Sequence, residues 1–316
     1  MKITYIFVIL LSLWNTTHTQ DLSCFLDFSY LQNSSQVQQK LIELGFKKVY
    51  FTTPDNIQLC GLLLDKSKQQ PIRGTILYCA GFYPGKKEGM SSFFSLIADQ
   101  PYNVLLFDAR GHNESAGSFL TYTDLKQYGT VEYLDIIGAL TFLNQYNAQH
   151  LLPSNIIIHG ICSGAFNCIK AIEYAQKNNI DCSNISGIVF DSGWLHITDV
   201  VEPVIDAEIT KRLQNSYFSW CITPASYIVK TLYRCTLKNS HKQQTSINNT
   251  LAHIKIPIWY VHCTHDPYVP IQPIQQCLQS YNCTCCWWID HNSHADYHMC
   301  NYQTYKTKLI NFLKNL

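Results

Sequence analysis

From residue 47 onward the chain alternates short, nearly continuous apolar runs with longer stretches in which apolar residues return every three or four positions. "KKVYFTT" and "IQLCGLLLD" are parted by Pro54-Asp55-Asn56, a turn signal, and predict a β-hairpin. Six further runs follow: "GTILYCAG", "NVLLFDARG", "NIIIHG", "SGIVFDSG", "IPIWYVHC" and "CCWWID". Runs without polar alternation suit strands buried on both faces of a parallel sheet. Helical patterns fall between most of them. They are "SSFFSLIAD", then Val131 to Gln145 with apolar residues at Val131, Leu134, Ile137 and Leu140, then Ala165 to Lys177, with Thr304 to Leu313 closing the chain. A hairpin followed by alternating strand and helix predicts an α/β fold with a mostly parallel sheet of about eight strands, flanked by helices.

Two regions stand outside this rhythm. Residues 20–46 predict an N-terminal helical extension. Residues 195–254 hold no strong strand, but helices fit "VVEPVIDAEITKRL" and "SYIVKTLY". A crossover needs one helix, so this interval is expected to form a cap over the strand ends. Tyr217, Phe218, Trp220 and Tyr227 within it are expected to be buried. The main domain is thus 47–316 with the cap inserted.

The first residues read as targeting. Lys2 precedes a mostly apolar stretch, Ile3 to Trp14, and then "NTTHTQD". That stretch is shorter than the roughly 20 residues a membrane span needs. Residues 1–19 are therefore expected to be a signal peptide, with secretion or a periplasmic location. An uncleaved leader is the alternative, and the one route to a membrane.

Composition narrows the function. The chain has 316 residues, 47% hydrophobic and 14% charged, with a formal net charge of +1. No basic run or zinc-finger spacing is present, which excludes nucleic acid as the expected partner. There are 14 cysteines. Those in apolar runs, Cys60, Cys79, Cys263, Cys285 and Cys286, read as small buried hydrophobes. In "CTCC", alternation puts Cys283 and Cys285 on one face and Cys286 on the other, so they do not converge on a metal. N-x-S/T triplets occur at Asn33, Asn113, Asn184, Asn248 and Asn282 and matter only if the exported chain is glycosylated.

The chemistry is sharpest in "NIIIHGICSGAF", where an apolar strand runs into small residues around Cys162. A sharp strand-to-helix turn crowds the positions two residues either side of its centre. Around Cys162 these are Gly160 and Gly164. Around Ser163 they would be Ile161 and Ala165, and Ile does not fit, so Cys162 and not Ser163 is the candidate nucleophile. An ordinary thiol is a few per cent anion at neutral pH, and amides at a helix start favour the anion.

The ordered motifs resemble the α/β-hydrolase fold superfamily over roughly residues 47 to 316. Gly160-Ile161-Cys162-Ser163-Gly164 matches its nucleophile elbow, with Cys for the commoner Ser. Ala80-Gly81-Phe82 stands at the oxyanion loop, Asp108-Ala109-Arg110-Gly111-His112 matches D-x-R-G-H, and Asp266-Pro267-Tyr268-Val269-Pro270 matches the segment carrying the acid. His294 stands at the histidine position. The rest of the sequence is similar to the serine-aminopeptidase-like or acyl-hydrolase branch. A Cys-His-Asp triad also resembles dienelactone hydrolases and bile-acid acyltransferases, whose substrates do not carry over. The resemblance implies a nucleophile Cys162, a base His294, an acid Asp266, and an oxyanion hole from the backbone N–H groups of Phe82 and Ser163. It implies an acyl hydrolase of esters, thioesters, lactones or amides with a thioester intermediate, or an acyltransferase, acting on a small-molecule acyl substrate without cofactor or metal. An inactive binding scaffold is the other reading.

Several residues compete. Asp191 ends "IVFDSGW", where some members of the fold keep their acid; otherwise it reads as a loop-stabilising or pocket-edge residue. His291 and His298 compete with His294. Asp290, His291, His294, Asp296 and His298 also admit a metal reading, without an H-E-x-x-H pattern. His262 and His265 read as structural, His265 at the pocket edge. Arg110 and His112 are expected to hold loops through backbone carbonyls, and "GKKEG", Gly85 to Gly89, to be a solvated loop.

Overall fold

In a computed structural model, residues 34–81, 85–118, 129–214, 217, 219–237, 246–280 and 285–316 are described. Eight strands form one sheet in the order β1-β2-β4-β3-β5-β6-β7-β8. The expected hairpin is β1 (Lys47–Thr52) against β2 (Gln58–Leu64), antiparallel. Its turn works because Thr53 N–H donates to Ile57 O at 2.9 Å while Asn56 takes φ 63°, a conformation asparagine tolerates.

Strands β3 (Gly74–Cys79), β4 (Tyr102–Phe107), β5 (Ile156–Ile161), β6 (Ile185–Asp191), β7 (Ile258–Cys263) and β8 (Cys286–Ile289) are the six apolar runs, all parallel to their neighbours among themselves. Burial on both faces explains their lack of alternation. In β3, Leu77 and Cys79 face one core cluster and Ile76 and Tyr78 the other. Helices α3 (Tyr133–Gln149) and α4 (Ser163–Lys177) cover the first face with Ile136, Leu140, Phe166 and Ile169. Helices α1 (Ser34–Glu43), α2 (Ser91–Ile97) and α10 (Tyr302–Lys314) cover the second with Leu41, Phe93, Leu96, Tyr305 and Leu309. The result is a three-layer α/β/α arrangement. Truncating a core residue such as Leu77, which has no exposed surface, typically costs about 2–5 kcal/mol.

Helix α1 falls inside the expected extension, whose first part lies outside the described residues, as does the leader. In the expected cap interval, α5 (Thr198–Leu213) packs on α6 (Ile222–Leu237), and α7 (Asn248–His253) packs on α4. Burial of the aromatic residues there is not observed. Tyr217 is 98% exposed, Trp220 75% and Tyr227 68%. Helix α6 turns Ser226 inward, hydrogen-bonded to Asp206, which leaves Tyr227 and Ile228 on the outer side; Trp220 precedes it, in a 3-10 turn (Ser219–Cys221). Phe218 lies outside the described residues. Among the described residues no helix is long and apolar enough to cross a membrane.

The loop after β3 corrects a second expectation. Lys87, in a 3-10 turn (Lys87–Met90), is fully buried rather than solvated. Its Nζ is 2.5 Å from Asp108 Oδ2, and its backbone N–H donates to Asp108 Oδ1 at 2.9 Å. Burial opposes the ammonium charge, but Asp108 outweighs it and raises the Lys87 pKa. Arg110 also differs from expectation, because it grips carboxylates: Asp135 at 2.8 Å and Asp55 at 2.8 Å. His112 does use a carbonyl, with Nδ1 3.0 Å from Arg110 O.

Cysteines Cys60, Cys79 and Cys263 are buried as expected, whereas Cys285 is exposed and Cys286 half-buried at the short edge strand β8. The three described triplet asparagines all use their side-chain amides in hydrogen bonds: Asn113 to Glu88 and Asp108, Asn184 to Asn144, and Asn248 with His196.

Candidate active site

Cys162 connects β5 directly to α4 and takes φ 56°, ψ −118°. Such a backbone is strained for any residue but glycine and persists only where its surroundings impose it. Here β5 is tied on one side by Cys162 N–H to Asp191 O at 2.8 Å, and α4 packs back on the sheet. The flanking glycines are required sterically. A Cβ on Gly160 would stand 2.6 Å from Ala165 Cα, and one on Gly164 would stand 2.6 Å from Ala80 O and still closer to Cys79 O. The elbow is therefore centred on Cys162. Ser163 is buried as the first residue of α4, where a helix's opening amides lack intrahelical acceptors. Gly81 brings the end of the β3 loop against the thiol; a Cβ there would lie 3.6 Å from Cys162 Sγ. Phe82 lies outside the described residues.

Asp266 and His294 sit on loops after β7 and β8, at the same strand ends as Cys162, where parallel sheets form their crevices. Asp266 has a fully buried side chain. Its Oδ1 accepts N–H bonds from Tyr268 at 2.8 Å and Val269 at 2.9 Å. Its Oδ2 accepts from His294 Nδ1 at 2.7 Å. Cys162 is the other group close enough to act on the charge of the imidazole. The three residues expected to work together are thus near one another. Burial disfavours the His294 cation, but the Cys162 charge and the bond to Asp266 overcome it, so its pKa is well above the ordinary value. The ring keeps 16% of its side-chain surface exposed, and Tyr268 stands edge-on to it, 5.4 Å between centroids.

The side chains of the competing residues have other partners. Asp191 bonds to Tyr305 and Ser192, with its pKa pushed up to about 6 by burial. His291 Nδ1 faces Ser293 Oγ at 2.9 Å. His298 is in α9 (Tyr297–Cys300), ahead of the last helix, buried against Phe93 and bonded to Ser92 Oγ at 2.9 Å. Burial pushes its pKa down to about 4. His262 is buried and bonded to Val269 O at 3.0 Å; His265 is exposed and pairs with Asp290 at 3.1 Å. Of the five residues of the metal reading, Asp290, His291, His294 and His298 thus each have a different partner. Ser192 and Tyr305, which meet Asp191, belong to no motif; the Ser192-Gly193 turn signal is the one trace of Ser192 in the sequence.

The chain has the α/β-hydrolase fold, and comparison with known structures agrees. It superposes on the esterase Pf2001 of Pyrococcus furiosus with a TM-score of 0.64, at 21% identity, over 88% of this chain and 95% of that one. An α/β hydrolase of Vibrio vulnificus gives 0.59 at 18% identity over 88% and 85% of the two chains. The esterase EaEST of Exiguobacterium antarcticum gives 0.56 at 13% identity over 85% and 100%. In sequence, the chain is 25% identical over 248 residues to YqkD, an uncharacterized protein of Bacillus subtilis (strain 168), covering 77% of this chain and 72% of that protein. No family model matches.

Proposed function

We propose that the protein is a hydrolase that transfers acyl groups through Cys162, with His294 as base and Asp266 as its orienting acid. The observation that carries this reading is the Asp266–His294 bond at the same strand ends as the strained turn of Cys162. Esterases among the structural neighbours support hydrolysis in general.

In this reading His294 takes the Cys162 thiol proton, and the sulfur attacks a substrate carbonyl carbon while the carbonyl electron pair moves to oxygen. The backbone N–H groups of Ser163 and Phe82 receive that oxyanion; one such donor is typically worth about 10²–10³ in rate. The intermediate collapses, the bond to the leaving group breaks, and imidazolium His294 protonates the departing oxygen or nitrogen. A thioester remains on Cys162. His294 then takes a proton from water as the water oxygen attacks the thioester, the C–S bond breaks as His294 returns that proton to the sulfur, and the free acid and the Cys162 thiol are left. Asp266 holds the Nδ1–H tautomer and stabilises the cation between the two steps.

The test is hydrolysis of p-nitrophenyl esters by the wild-type chain and Cys162→Ala. Turnover lost in the variant supports the reading, and equal turnover in both overturns it. An alcohol or amine that captures the acyl group in place of water would identify acyl transfer by the same residues.

A further inference from the structure

Among the described residues, seven other than glycine have positive φ; three are asparagines and one is Leu151. The remaining three are Cys162, Ser192 (φ 52°) and Ala295 (φ 58°), and all three belong to the candidate site. Serine and alanine gain nothing from this conformation by themselves, so it must be imposed by neighbours. Ser192 and Ala295 impose it on each other: the Ala295 N–H donates to Ser192 Oγ at 3.2 Å. The Ser192 hydroxyl proton goes to Asp191 Oδ1 at 2.8 Å, which leaves its lone pairs for Ala295. Asp191 Oδ2 accepts from the Tyr305 hydroxyl at 2.5 Å, and the Asp191 main chain accepts the Cys162 N–H. Ser192 N–H is in turn tied to Val261 O of β7 at 2.9 Å. One buried dipeptide thus touches both the elbow and the residue after His294.

We propose that Asp191 and Ser192 are positioning residues for His294: the Asp191 carboxylate orients the Ser192 hydroxyl, which holds the Ala295 backbone and so keeps the imidazole on Cys162. This rests on the reading of Cys162 and His294 as a reacting pair. It gives Asp191 a role distinct from the acid, which Asp266 fills. On its other side the loop of His294 is tied by Ser293 Oγ to Cys263 Sγ of β7 at 3.3 Å, so the Ala295 bond fixes the side that follows the ring, and a displacement of about 1 Å at a reacting centre is enough to reduce rates by roughly 10²-fold.

The test uses the full chain with two probes: hydrolysis of p-nitrophenyl acetate and the rate at which iodoacetamide alkylates Cys162 at pH 7, read by peptide mass spectrometry. Ser192→Ala and Asp191→Ala should each lower kcat by about tenfold with KM within about twofold, because positioning acts on the reacting pair rather than on binding. The double variant should be no slower than Asp191→Ala, because the two act through one bond. Asp191→Asn, which keeps an acceptor for Ser192, should retain kcat within about threefold and guards against loss through misfolding. His294→Ala should slow alkylation of Cys162 strongly, and adding Ser192→Ala to it should change nothing further. A wild-type kcat in Ser192→Ala, independent multiplying effects, or a further loss in the His294→Ala background overturns the positioning role while leaving the reacting pair intact. If His294→Ala alone leaves both probes unchanged, the reading of the pair fails, and the positioning role falls with it.

Discussion

His294 Nδ1 and Asp266 Oδ2 are 2.7 Å apart, and the Asp266 carboxylate that receives this bond is itself fixed by two backbone N–H groups of its own turn. The carboxylate therefore cannot swing away from the ring, and the ring is left with Nε2 for Cys162. Asp266→Asn keeps the size but offers an amide that favours the wrong tautomer. Ester turnover should fall by about 10³-fold or more, with KM little changed, as judged by steady-state kinetics.

The elbow makes a stability prediction. Gly164→Ala would drive a methyl into the backbone oxygens of Cys79 and Ala80, which cannot rotate away. Urea denaturation should show a loss of roughly 1–3 kcal/mol, and activity should fall as the β3 loop shifts. Gly89→Ala, whose Cβ would meet nothing within 4 Å, should be close to neutral in the same assay.

How much of this could be read from the chain depended on the range of the interactions. The strands were legible because runs such as Ile156–Ile161 are buried on both faces, a property of the run itself. Cys162 was legible because the crowding of Gly160 and Gly164 is local. Asp266 and Asp191 both end or follow a strand; the D-x-x-V-P context favours Asp266, and only the hydrogen bonds show that its carboxylate meets His294 while that of Asp191 meets Tyr305 and Ser192. The sequence does not show that Lys87 is buried, because its partner, Asp108, lies 21 residues away and the pairing depends on how two loops meet. The exposure of Tyr227 depends on which face of α6 meets α5, and an aromatic residue by itself does not indicate this. Helix ends shifted slightly: α3 runs Tyr133–Gln149 where the pattern gave Val131 to Gln145.

The buried Lys87–Asp108 pair predicts an asymmetric response to mutation. Lys87→Met strands a carboxylate that has no exposed surface, so denaturation should show a loss of about 3–5 kcal/mol. Adding Asp108→Asn should recover part of it, because the uncompensated charge is then gone. A Lys87→Met loss under 1 kcal/mol would mean that the Asp108 carboxylate is not shut away from water as the buried pair requires.

Asp191 predicts a pH dependence of stability. Burial raises its pKa to about 6, against hydrogen bonds from Tyr305 and Ser192 and the His294 charge, and with Asp266 adding to the rise. Between the unfolded value near 4 and the folded value, the native chain holds the proton that the unfolded chain has lost. Stability from this group is therefore greatest at low pH and declines as pH rises to about 6. Relative to Asp191→Asn, the wild type should lose roughly 2–3 kcal/mol between pH 4 and pH 7 in urea melts. Parallel pH curves for the two proteins would contradict the buried ionisation.

The central claim is that sulfur at residue 162 carries the acyl group. Rapid acid quenching of the wild-type chain during turnover of p-nitrophenyl acetate, followed by peptide mass spectrometry, tests it most directly. The account predicts one acetyl group on the peptide of Cys162, removed by hydroxylamine and absent in Cys162→Ala. Acetylation of Ser163 instead, or turnover that persists in Cys162→Ala, would contradict it.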